Sequence, residues 1–141
     1  MKNVTKLLLV LSVFALGFSS CSKEKRIERH LHSRSGKWNN TVYDYKYYND
    51  GVLESSINHV DAGYIEFDKD GTYVWTFIAD GTTEIDAGTW ENSDEDITLF
   101  QNSYGLKFKI LEESRKEMKL EYTETVGVER EVYVLTFEKD N

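Results

Sequence analysis

Cys21 is the only thiol of the chain, and His30, His32 and His59 are its only imidazoles. A thiolate can act as nucleophile or metal ligand, and two histidines on alternate residues of a strand can share one metal. Neither chemistry is completed. No further Cys or His joins His30 and His32, and no G-x-S-x-G turn presents a serine. Glu66-x-Asp68-x-Asp70-Gly71 has acidic spacing like that of a calcium loop. Its first position should be Asp, however, and Phe77 stands where the bidentate Glu belongs. Asp94-Glu95-Asp96 reads as a solvated acidic turn. Carboxylates are too frequent for one pair to be singled out for acid/base work, and a glycine-rich phosphate loop is absent. These residues predict no enzyme, no cofactor and no metal site.

The aromatic set Trp38, Tyr73, Trp75, Phe77 and Trp90 has a different use. Facing inward in a barrel, Tyr73, Trp75, Phe77 and Trp90 would line a ligand cavity. They would equally well fill the barrel completely, since an eight-stranded interior is just wide enough for side chains. Both readings stand at this point.

The elements that position these rings centre on Tyr64 to Glu91. Ile65 and Phe67 alternate with Glu66 and Asp68, the period of a half-buried strand. Asp70-Gly71 and Asp80-Gly81 are hairpin signals. Between them Tyr73, Trp75 and Phe77 share one face, and Ile85, Ala87 and Thr89 are expected to continue the apolar side on the next strand. Upstream, Tyr43, Tyr45 and Tyr47 share a face, and Val52 to Val60 is a weaker strand or loop. Downstream, Leu106, Phe108 and Ile110 alternate with lysines, as do Met118, Leu120 and Tyr122 with Lys119 and Glu121. Val132 to Phe137 is apolar on both faces. The count is about eight strands with no helix-length period after Gly36, which predicts a single antiparallel all-β domain, a barrel or sandwich.

The chain has 141 residues and a net charge of -8. That is one domain's length. Charge is uneven: Lys23 to Lys37 is net +4, whereas Trp38 to Asn141 is net -14. An acidic domain argues against nucleic acid, whose phosphates require a basic face. Ile27 and Leu31 stand at i and i+4, room for one helical turn. The dense charge around them reads as a flexible tether over residues 21–35.

Lys2 and Lys6 precede an apolar run from Leu7 to Phe18, too short to span a bilayer and suited to a secretory signal over residues 1–20. Phe18-Ser19-Ser20-Cys21 resembles the lipobox of bacterial lipoproteins, with Phe18 in place of the usual aliphatic residue. The resemblance implies cleavage before Cys21, diacylglycerol (palmitate-type) acylation of its sulfur, and anchoring in the outer membrane of a Gram-negative bacterium, facing the periplasm or the cell surface. Ser22 is not the aspartate associated with inner-membrane retention in some such bacteria.

Gly36-Lys37-Trp38 is similar to the G-x-W element of lipocalins. The order Phe67-x-x-x-Gly71-x-Tyr73, then Gly88-x-Trp90, then alternating strands, resembles the small lipocalin-like domains of bacterial envelope lipoproteins. The resemblance covers Ser35 to Asn141. It implies an up-and-down eight-stranded barrel over residues 36–141, closed at one end by Trp38. A late basic residue would lie on that ring, with Arg130 as candidate. The function implied is a non-enzymatic binding module for a small amphipathic ligand or envelope partner, held to the membrane by acyl chains on Cys21. The alternative is a structural lipoprotein with a solid barrel that works through its surface, with Tyr43, Tyr45, Tyr47 and Tyr48 as contact patch.

Overall fold

The structure, a computed structural model, describes residues 22–140. Cys21 and the expected signal segment, residues 1–20, lie outside the described residues. A helix, α1 (Lys23–His32), precedes nine strands: β1 (Lys37–Asn49), β2 (Val52–Val60), β3 (Gly63–Phe67), β4 (Thr72–Ala79), β5 (Thr82–Asn92), β6 (Asp96–Gln101), β7 (Tyr104–Glu113), β8 (Glu117–Val126) and β9 (Glu129–Lys139). All pairings are antiparallel; from β3 to β9 they follow chain order, β1 pairs with both β2 and β3, and it closes the sheet on β9 from Trp38 to Asn49.

β2 and β3 lie along the same edge of β1, β3 against Lys37 to Asn39 and β2 against Val42 to Asn49. They are one strand broken at Asp61 and Ala62, which makes the barrel eight-stranded. Asp61 at φ 54° and Gly63 at φ 94° turn the backbone at the break. Closure covers the strand edges at the Trp38 end, whereas β2 is paired on its β1 side alone. The Asp50-Gly51 and Asp80-Gly81 hairpins have two-residue loops with both central residues at positive φ, between 48° and 78°. That is the primed turn that the strand twist favours.

The two ends differ. At one end Trp38, Phe67, Ile97, Met118, Leu135 and Phe137 are almost wholly buried. The space among the residues packed there is only about 10 Å³. Gly36 starts this floor at φ 70°, where a Cβ would stand 2.2 Å from the carbonyl oxygen of Phe67. Only glycine lets the chain pass so close to β3.

The expected flexible tether is instead α1, and it plugs this end. Ile27 and Leu31 are 0% and 1% exposed. A ten-residue helix is marginal alone, so its stability comes from packing. Two aliphatic side chains buried at roughly 1.5–3 kcal/mol each suffice to hold it. Ser22 caps the first turn, accepting from the Lys25 amide at 3.3 Å. At the other terminus, Trp38 Nε1 donates to the Leu31 carbonyl at 2.9 Å, and Lys139 Nζ donates to the His30 and Leu31 carbonyls at 3.0 and 2.9 Å. A cation on the last carbonyls complements the helix dipole. From the side, Glu113 of β7, with a 7% exposed side chain, accepts from His30 and pairs with Arg26 at 3.5 Å.

Candidate functional site

Above the floor the barrel opens. β7 and β8 are paired only between Lys109 and Glu113, and β5 meets β6 only from Thr89 to Asn92. Within each of these pairs the upper parts of the strands are unpaired, and two hollows lie above the floor. One, of about 260 Å³, is lined by Trp75, Leu106, Phe108, Tyr122 and Tyr133 among others, and the second, of about 200 Å³, by Phe77, Glu84 and Asp86. Tyr43 and Trp75 line both. The choice between a filled barrel and a cavity thus resolves by level: solid below Trp75, hollow above it.

The predicted interior residues divide along the same line. Trp75 and Phe77 face the hollows. Tyr73 and Trp90 belong to the floor at 4% and 9% exposure, with Trp90 packed edge-on against Phe67 at 5.4 Å between centroids. Trp38 is fully buried under α1, and the cation over its ring is Lys139, 4.3 Å from the centroid. Arg130, the expected partner, lies over Tyr48 at 4.5 Å instead. The strand register explains this, because Trp38 stands opposite Lys139 whereas Arg130 stands opposite Tyr48, nine residue pairs further along the ladder.

β5 is turned the other way from the expectation. Trp75 pairs with Asp86 and Phe77 with Glu84, so Glu84, Asp86, Gly88 and Trp90 face inward. Ile85, at 67% exposure, faces out. The tyrosine patch is also relocated. Tyr43 packs on Phe77 at 4.9 Å and Tyr45 on Tyr133 at 4.9 Å, inside the mouth; only Tyr48 stays outside with Arg130.

Polar groups in the mouth are tied to one another. Glu131 accepts from the Tyr45 and Tyr133 hydroxyls at 3.1 and 2.8 Å, and Asp86 accepts from Gln101 Nε2 at 2.7 Å. Burial, followed by the Glu131 carboxylate, pushes the Tyr133 pKa up, so its hydroxyl stays a donor. One group is left over. Trp75 Nε1 is buried with no hydrogen-bond partner among the described residues, whereas the indoles of Trp38 and Trp90 donate to the Leu31 and Asp68 carbonyls. An orphaned buried donor costs about 1–3 kcal/mol.

Outside, at the floor, Arg26, Arg29, Arg34, Arg115 and Lys116 surround a cleft of about 630 Å³ beside α1. The molecule is therefore basic at the helix end and acidic at the mouth. Among the described residues no His, Cys, Asp and Glu group is placed to hold a metal ion, and no helix is long and apolar enough to cross a membrane.

The floor and the mouth titrate with opposite signs. Burial, with Arg34 nearby adding like charge, holds the Lys139 pKa at about 8 against its ordinary 10.5. The folded state then binds fewer protons than the unfolded chain between those values, so stability rises with pH across that window. Burial first, then Tyr104 and Glu124, push the Tyr122 hydroxyl up to about 12 from 10.0. Stability from such a phenol is complete below the free value and is lost as pH rises toward the folded one. The Tm should climb above about pH 8, crest near pH 9–10 and then fall. Lys139→Met should abolish the climb but not the fall, as read by thermal melts across that range.

No protein-family model and no curated protein matches the chain. Solved structures do. An uncharacterized protein from Bacteroides eggerthii matches at 20% identity over 70% of this chain and 96% of that one, with a TM-score of 0.40. Bovine odorant binding protein in complex with a selenium-containing odorant matches at 17% identity over 79% and 76%, with a TM-score of 0.46. A dog lipocalin allergen matches at 14% over 74% and 72%, with a TM-score of 0.43. The barrel's own topology carries the assignment of fold: the chain is an all-β, closed, eight-stranded, up-and-down antiparallel barrel.

Proposed function

We propose that this protein is a non-enzymatic binding module that receives a small amphipathic ligand in the open half of its barrel, and that it is held to the outer membrane by acyl chains on Cys21. The observation that carries the binding reading is Trp75. Its ring lines both hollows, and its buried indole N–H has no partner. A turn of that ring toward an acceptor on a bound ligand regains a hydrogen bond that the empty barrel lacks, while the ligand's apolar body covers the Leu106 and Phe108 walls. The solid-barrel alternative has lost its surface patch, because Tyr43 and Tyr45 face inward.

Saturable uptake of the neutral fluorescent amphiphile N-phenyl-1-naphthylamine tests the binding reading. Leu106→Trp, which fills the larger hollow without touching the floor, should abolish the uptake. An unaltered titration in that variant would put the binding elsewhere.

The anchor follows from Ser19-Ser20-Cys21, and its support in the fold is the position of α1. Cys21 directly precedes Ser22, the helix cap, so an anchor there would hold the basic floor against the bilayer and turn the mouth away from it. Polybasic surfaces add attraction to anionic lipid of about 1 kcal/mol per cation. Cys21→Ser should lose all label from a fatty-acid analogue fed to cells; undiminished label would remove the anchor.

A further inference from the structure

We infer that the ligand of this calyx carries a positive charge, an ammonium or similar cation on an apolar body. The inference rests on the binding reading above and names its ligand class. Strand parity is the argument. On the β4–β5 hairpin, Glu84 and Asp86 stand inward opposite Phe77 and Trp75 and line the smaller hollow. Across the mouth, Tyr122 faces Tyr133, so the next inward pair is Glu124 with Glu131, and Glu129 follows. Glu124 lines the larger hollow and, with Glu129 and Glu131, a third one of about 150 Å³ beside it, so five carboxylates stand on the inward face of the barrel's open half.

An acidic chain would scatter carboxylates over both faces, and the outward face of these strands is indeed mixed. Lys46 pairs with Asp44 and Lys107 with Asp96, and Arg130 covers Tyr48, all on the outside. Neither hollow is lined by a lysine or an arginine. The segregation is by face, not by composition.

Aromatic rings stand among these carboxylates. Tyr43 and Phe77 are 4.9 Å apart, and Tyr122 and Tyr133 are 5.8 Å apart. Ring faces attract cations, and ammonium–carboxylate hydrogen bonds are among the stronger ones. Gln101 on Asp86, and Tyr45 and Tyr133 on Glu131, hold two of the acids in place in advance. A fatty carboxylate entering the same mouth would meet like charge on several sides.

Isothermal titration at neutral pH with octylamine, 1-octanol and octanoate separates the outcomes, since the three share one chain and differ in the head. Octylamine should bind about tenfold tighter than 1-octanol, with octanoate weakest, and its advantage should shrink as salt is added. In the Glu84→Gln/Glu124→Gln double variant the ratio of octylamine to 1-octanol affinity should fall to about one. Octylamine binding no tighter than 1-octanol, or a ratio unmoved in the double variant, overturns the cation inference and leaves the binding module standing. Binding of none of the three overturns the binding reading itself, and the inference with it.

Discussion

Trp38→Ala should leave the chain mostly unfolded or aggregating at ambient temperature. The ring is 0% exposed, and truncating so large a buried side chain leaves a cavity costing about 3–5 kcal/mol. Two further losses come with it. The Leu31 carbonyl loses its indole donor, and the Lys139 ammonium loses the ring beneath it. Because small domains hold only about 5–15 kcal/mol in total, urea denaturation should show a large fall in midpoint. A midpoint equal to the parent's would mean that the floor does not depend on this ring.

Starting the chain at Ser33 should be nearly as damaging, although it removes only a short and highly charged segment. Were that segment a tether, its loss would be silent. As α1 it takes away Ile27 and Leu31, about 3–6 kcal/mol of apolar burial at 1.5–3 each, and exposes the floor beneath. It also leaves Glu113, a carboxylate with 7% exposure, without Arg26 and His30. The truncated chain should lose several kcal/mol in urea relative to one starting at Ser22. Equal midpoints would show that α1 contributes nothing to the fold.

How far these features were legible in the residues depends on range. The Asp70-Gly71 and Asp80-Gly81 turns are local, because turn chemistry acts over two residues, and alternation marks each strand. The direction in which β5 faces was within reach too. A two-residue loop pairs Ala79 with Thr82, hence Phe77 with Glu84 and Trp75 with Asp86. Counting across the turn outranks the apolar look of Ile85, and it alone reveals the acidic interior. α1 was harder. Ile27 and Leu31 are two apolar residues among ten, and their burial is decided by a floor built from strands far along the chain. Lys139 over Trp38 is a register match between the chain's two ends, which no local pattern encodes. The hollows were not legible at all: the larger lies where β7 and β8 part above Lys109, and splaying leaves no mark in periodicity.

Three indole N–H signals in a two-dimensional ¹H–¹⁵N spectrum offer the most direct test of a barrel that is solid below and receptive above. Those of Trp38 and Trp90 are engaged by the Leu31 and Asp68 carbonyls, and that of Trp75 is not. Titration with 1-octanol should move the Trp75 signal progressively to saturation while the other two stay in place. A Trp75 signal that never moves, or a Trp38 or Trp90 signal that moves with it, would contradict the account.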